Sequence, residues 1–148
     1  MQSNAARGLV ALAGIVTTTD LMAGFCLFWQ LMTIPSFFLV RFEHQKAENV
    51  RAANRYLLMM EVSCLLVMAA AWLLGGAAGP VTGEAGHLAR YDFDRLAHAL
   101  PAILDGRRDL AGAALLLFLA GFGIKAGMWP FGQLWLPEAH PAAPSQVS

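Results

Sequence analysis

The feature that most constrains this chain is an apolar run that carries a lysine. From Asp109 the sequence is apolar through Ile124, reaches Lys125, meets Gly127 and Pro130, and turns apolar again at Trp135 and Leu136. Read as one helix, 109–136 would be about 42 Å long, well beyond the ~30 Å hydrocarbon core of a bilayer. A helix interrupted at Gly123, Gly127 and Pro130 fits better, with Lys125 at the break. An ammonium at that depth costs about 2.5–3.5 kcal/mol on insertion scales, so it requires a partner or a water path. Gly123 and Gly127 also form a small-xxx-small pair that would let a neighbouring helix approach closely.

The rest of the chain agrees with a membrane reading. Hydrophobic residues make up 57% and charged residues 14% of the 148, too little charge to cover a soluble surface. The formal net charge is zero, which removes the electrostatic case for nucleic acid. Cys26 and Cys64 sit inside apolar runs and read as small buried hydrophobes, not a disulfide or metal pair. The expected fold is all-α: a single membrane domain over 1–148 with about three transmembrane helices, the first truncated and the last discontinuous. Apolar segments fall at about 5–18, 20–41, 50–74 and 109–136. The first makes only about 21 Å of helix, and no cleavable leader is apparent around it. The second follows a break and N-cap at Thr17-Thr18-Thr19-Asp20 and contains Gln30 near its middle and Pro35, which should kink it. A mixed-charge connector, Arg41 to Arg51 with Glu43 and His44, follows. The third segment contains Glu61.

The loop 75–108 is polar. Within it Asp92 can cap a short amphipathic helix with Phe93, Leu96, Ala97 and Leu100 at helical spacing, stopped by Pro101 and lying at the interface. His87 and His98 read as surface residues. Basic residues are balanced, with Arg41, Lys46, Arg51 and Arg55 on one side and Arg90, Arg95, Arg107 and Arg108 on the other, so no orientation follows.

Gly121-Phe-Gly-Ile-Lys125-Ala-Gly, followed by Trp135-Leu-Pro-Glu-Ala-His140-Pro-Ala-Ala-Pro-Ser, resembles the proton-translocating subunits shared by respiratory complex I (NADH:quinone oxidoreductase), Mrp-type antiporters and membrane-bound hydrogenases. Within that group the chain looks most like the membrane subunit of hydrogenase-4 and formate hydrogenlyase. A second block, Phe28-Trp29-Gln30-Leu31-Met32 through Phe42-Glu43-His44 to Arg55-Tyr56-Leu57, is similar too. The resemblance implies a partial copy of a larger antiporter-like subunit in a prokaryotic inner membrane, with the lipid bilayer and other membrane subunits as partners. It implies that the broken-helix lysine, here Lys125, carries protons. It also places a modulating glutamate after Trp29, where this chain has Gln30.

An amine suits proton carriage because burial weakens its hold on a proton; the competing reading, a lysine snorkelling from a helix end or paired for structure, fits less well with neighbours that are Gly, Ile, Ala and Met, well short of Trp135. Gln30 can hydrogen-bond but cannot hold a negative charge. Counting residues from Val40 and from Val50 puts Gln30 and Glu61 at about 15 and 16 Å from the same membrane face. Glu61 is therefore a candidate counter-charge for Lys125. A neutral Glu61 bonded to a backbone carbonyl, or one facing another subunit, remains equally open. His140 is the candidate to pass protons onward, or else belongs to a Pro-rich turn that starts the next span, with Glu138 an interfacial turn residue. No nucleophile–base set, phosphate loop or redox-centre cysteine set is present, so no cofactor is expected and no catalysis from the isolated chain, at most a non-redox role in an oxidoreductase complex. The expected function is that of a fragment or short form of a proton-translocating subunit. The alternatives are a non-pumping structural subunit, which Gln30 favours, and a component of a multi-subunit cation/proton antiporter.

Overall fold

A computed structural model describes residues 20–42, 45–80 and 88–142. It contains five α-helices: α1 Cys26–Val40, α2 Ala47–Ala77, α3 Phe93–Gly106, α4 Arg108–Ala126 and α5 Leu136–Ala142. The expected span at 5–18, Glu43, His44 and His87 lie outside the described residues.

Two helices, α2 and α4, are long and apolar enough to cross a membrane. With 31 residues, α2 extends about 46 Å and overreaches the bilayer core by roughly ten residues. It starts at Ala47, before the expected Val50, so Glu48, Arg51 and Arg55 lie in its first turns. α1 has 15 residues, about 22 Å, short of a full crossing on its own. A π-helical turn, Leu21–Phe25, precedes it. Asp20 supports that turn, accepting from the Gly24 N–H on Oδ1 at 3.4 Å and from the Phe25 N–H on its carbonyl at 2.9 Å.

The packing is arranged as lipid demands. The buried side of α2 is rich in small residues: Ala52, Ala53, Ser63, Cys64, Ala70, Ala71 and Gly75. Its large apolar residues Leu58, Leu65 and Trp72 point outward, as do Leu115, Leu116 and Leu119 of α4. Small residues let backbones approach where no hydrophobic effect drives helices together. A close approach joins α2 to α4 at Gly121. A Cβ there would sit 2.8 Å from Val67 Cγ2 and 2.9 Å from the Ser63 carbonyl oxygen. Ser63 is fully buried and donates its hydroxyl to the Gly121 carbonyl at 2.7 Å.

α3 differs from expectation at its end. Asp92 does cap it, accepting from the N–H groups of Asp94 and Arg95 at 3.1 and 3.2 Å. The helix then continues through Pro101 to Gly106. Pro101 and Ala97, the residue whose carbonyl it leaves without an N–H, are both exposed, while Leu96 and Ile103 anchor the helix on both sides of the proline. Arg95 ties α3 to the C-terminal end of α2 by donating to the carbonyls of Ala78 at 3.2 Å and Gly79 at 3.0 Å. A cation there also meets the negative end of the long helix dipole.

Candidate functional site

The helix carrying Lys125 stops one residue later. Gly127 follows α4 with φ +68°, the left-handed region that costs side-chain-bearing residues about 1–2 kcal/mol. The Met128 N–H returns to the Gly123 carbonyl at 2.9 Å and the Gly127 N–H to the Ile124 carbonyl at 3.2 Å, the two-bond ending of a Schellman motif. The chain passes Pro130, makes a 3₁₀ turn at Phe131–Leu134, and resumes helix as α5. Trp135 seals the gap. Its indole N–H donates to the Ile124 carbonyl at 2.9 Å, and its ring packs edge-on to Tyr56. At Gly132 a Cβ would lie 2.0 Å from the Gly127 carbonyl oxygen, so this backbone doubles back on itself too tightly for any side chain.

The glycine pair expected to seat a neighbouring helix has a different role. Because α4 ends at Ala126, Gly127 lies outside it and turns the chain. A Cβ at Gly123 would face Phe131 at 3.3 Å, within the same broken segment. Gly121 makes the interhelical contact instead.

Lys125 is half-buried and points toward α1. Its Nζ donates to Thr33 Oγ1 at 3.1 Å and lies 5.2 Å from the centroid of the Trp29 ring. Thr33 in turn donates its hydroxyl to the Trp29 carbonyl at 3.0 Å. On the same helix Gln30 Nε2 donates to Glu61 Oε2 of α2 at 2.7 Å. The structure thus brings Gln30 and Glu61 together, and it seats Lys125 one helical turn away on Thr33. Among the described residues Lys125 and Glu61 form no direct ion pair. Two buried polar atoms flank this group without a protein hydrogen-bond partner, Trp29 Nε1 and Gln30 Oε1.

His140 is exposed on α5 and makes no hydrogen bond to the Lys125 group among the described residues. Glu138, next to it, pairs with Arg55 of α2. A cavity of about 530 Å³ opens at this charged end, between Arg51, Arg55 and Glu138, and its walls include neither Lys125 nor Glu61. Cys26 and Cys64 are free, buried thiols in one apolar cluster. Among the described residues no group of three or more His, Cys, Asp or Glu could hold a metal ion. Sequence reasoning missed Thr33, Ser63 and the indole N–H of Trp135. The available signal for Thr33 was its position four residues after Trp29 and three after Gln30, which puts all three near one side of a helix.

Residues 18–148 match the model of a family described as NADH:quinone oxidoreductase/Mrp antiporter, TM. The chain belongs to that family. It is an integral membrane chain of the complex I, Mrp and hydrogenase type, and hydrogenase and quinone-oxidoreductase subunits are among its relatives. It is 35% identical over 124 residues to hydrogenase-4 component B of Escherichia coli (strain K12), covering 84% of this chain and 16% of that protein. It is 33% identical over 141 residues to NADH-quinone oxidoreductase subunit M of Rhodobacter capsulatus, covering 91% of this chain and 25% of that one. An uncharacterized protein of Mycobacterium tuberculosis (strain ATCC 25618 / H37Rv) is 38% identical over 144 residues, 97% of this chain and 19% of that protein. The chain therefore spans a quarter or less of the length of these relatives.

Proposed function

We propose that this chain is a segment of a proton-translocating membrane subunit that serves a complex I-like or hydrogenase-type oxidoreductase in a prokaryotic inner membrane. The observation that carries this reading is the ammonium of Lys125, held at the gap in its own helix by groups of a second helix. In the proposed step the Lys125 ammonium gives up one proton and becomes a neutral amine, and the Glu61 carboxylate takes up one proton and becomes neutral. Charge within the buried group is then conserved as a cancelled pair, which lowers the cost of placing it in lipid-embedded protein. Between the two lie Thr33 and Gln30, three residues apart on α1. Buried polar atoms such as Trp29 Nε1 and Gln30 Oε1 are the kind that ordered water satisfies. Water in contact with them would complete the path. Redox chemistry would belong to partner subunits.

The test is proton uptake by inverted membrane vesicles containing the assembled complex. Lys125→Ala should abolish uptake coupled to this subunit while leaving the complex assembled. Uptake at the unaltered rate would refute the reading.

A second reading, a structural subunit that packs but does not pump, is favoured by one observation. Gln30 supplies an amide to Glu61 where the resemblance leads one to expect an acid. The same vesicle experiment separates the two: a structural subunit tolerates Lys125→Ala so long as the complex assembles.

A further inference from the structure

We propose that Thr33 is the positioning residue for Lys125, and that Trp29 completes the seat by placing its ring face against the charged amine. This rests on the reading of Lys125 as proton carrier for its functional meaning, but the seat itself follows from the geometry.

An amine at the C-terminal end of a helix ordinarily finds the helix's own last carbonyls. Here two of them, at Gly123 and Ile124, are taken. The Gly123 carbonyl accepts from the Met128 N–H, and the Ile124 carbonyl accepts from both the Gly127 N–H and the Trp135 indole. The ammonium therefore takes its acceptor from another helix, and Thr33 Oγ1 provides it at 3.1 Å.

Toward Lys125, Thr33 can only accept. Its exposure is 0%, its branched side chain is stiff at χ1, and its hydroxyl hydrogen is committed to the Trp29 carbonyl. Only lone pairs remain to face Lys125. Charged and neutral amines both carry N–H groups, so this contact survives the loss of a proton. The ring of Trp29 complements it, because an aromatic face attracts the cation and has much less hold on the neutral amine. Trp29 is itself fixed: it is 3% exposed, with Phe25 and Phe122 at centroid distances of 5.4 and 5.6 Å. One residue thus keeps the amine in place through both states, and the other responds to its charge. A carboxylate on α1 would bind the cation far more strongly than the amine. This helix offers none at the site, because position 30 is glutamine.

The chain has only two lysines, Lys46 and Lys125, which makes a direct test possible. The full 148-residue chain, labelled with ¹⁵N-lysine and placed in phosphatidylcholine/phosphatidylglycerol bilayers, gives two side-chain signals by solid-state NMR, with Lys46 as internal reference. Thr33→Val keeps the shape and removes the hydroxyl; Thr33→Ser keeps the hydroxyl and removes the methyl. The Lys125 signal should shift in Thr33→Val and hold its place in Thr33→Ser. Trp29→Leu should move the Lys125 side-chain protons downfield, as ring-current shielding is lost. An unchanged Lys125 signal in Thr33→Val, or equal shifts in the Val and Ser variants, overturns the proposal.

In vesicles with the assembled complex, Thr33→Val should slow proton uptake roughly ten- to hundredfold, the loss expected from a misplaced reacting group, and Thr33→Ser should restore it. A purely packing role predicts the reverse order, since Val keeps the buried methyl. If Lys125→Ala leaves uptake intact, the functional reading fails, and the lysine signals still decide the seat.

Discussion

Replacing Gly121 by alanine tests whether one close backbone contact sets the geometry of the buried group. The added Cβ would lie 2.9 Å from the Ser63 carbonyl oxygen and 3.2 Å from the Val67 nitrogen. Both are backbone atoms of α2 and cannot rotate away. Ordinary contact begins at 3.4 Å, so α4 must withdraw from α2 by roughly 0.5 Å, a strain that typically costs about 1–3 kcal/mol. The same withdrawal stretches the 2.7 Å bond from the Ser63 hydroxyl to the Gly121 carbonyl, with up to about 1 kcal/mol more at stake. Lys125 lies one turn beyond Gly121 on α4, so its amine moves too. Unfolding measured in bilayers or bicelles should show Gly121→Ala destabilised by that amount. Ser63→Ala should cost less in the Gly121→Ala background than alone, because its bond is already weakened, with a coupling of about 0.5 kcal/mol or more. Unaltered stability, or strictly additive effects, would refute the argument.

Three further outcomes are expected. Glu61→Gln keeps a hydrogen-bonding partner for Gln30, so assembly should persist while proton uptake falls as far as in Lys125→Ala; full uptake in vesicles would remove Glu61 from the path. Gly132→Ala puts a Cβ 2.0 Å from a backbone oxygen, so the turn must reopen, and backbone amides from Met128 to Trp135 should lose hydrogen-exchange protection. Glu138→Gln should change stability by less than about 1 kcal/mol and less still in high salt, because both partners of its pair with Arg55 are about half exposed; a larger loss in a salt-dependent unfolding series would show that the pair is desolvated.

Much of the architecture was legible because punctuation was strong. The run to Ile124 followed by Gly127 and Pro130 located the break, and Asp92 announced the start of α3. Counting rise per residue from the α1–α2 connector put Gln30 and Glu61 at the same depth without any coordinates, and their hydrogen bond emerged only from the structure. What stayed hidden depends on three-dimensional neighbours. Gly121 looks like one more glycine in a glycine-rich stretch, and only the position of Ser63 distinguishes it. Pro101 read as a stop because its exposure, which makes the missing bond cheap, is not written in the sequence. Thr33 looked like an incidental hydroxyl in an apolar span. The role proposed for it depends on the Gly123 and Ile124 carbonyls of α4 being occupied, and no local pattern on α1 records that.

The length of α2 has a mechanical consequence. Ser63 and Val67 hold the first half of the interrupted helix at Gly121. Ala52, Ala53 and Tyr56 share a buried cluster with Trp135 and with Ala139 of the second half. One uninterrupted rod therefore splints both sides of the fracture. The discontinuity is a set bone, not a joint, and under the function proposed above what would travel as the lysine changed charge is the side chain and its protons.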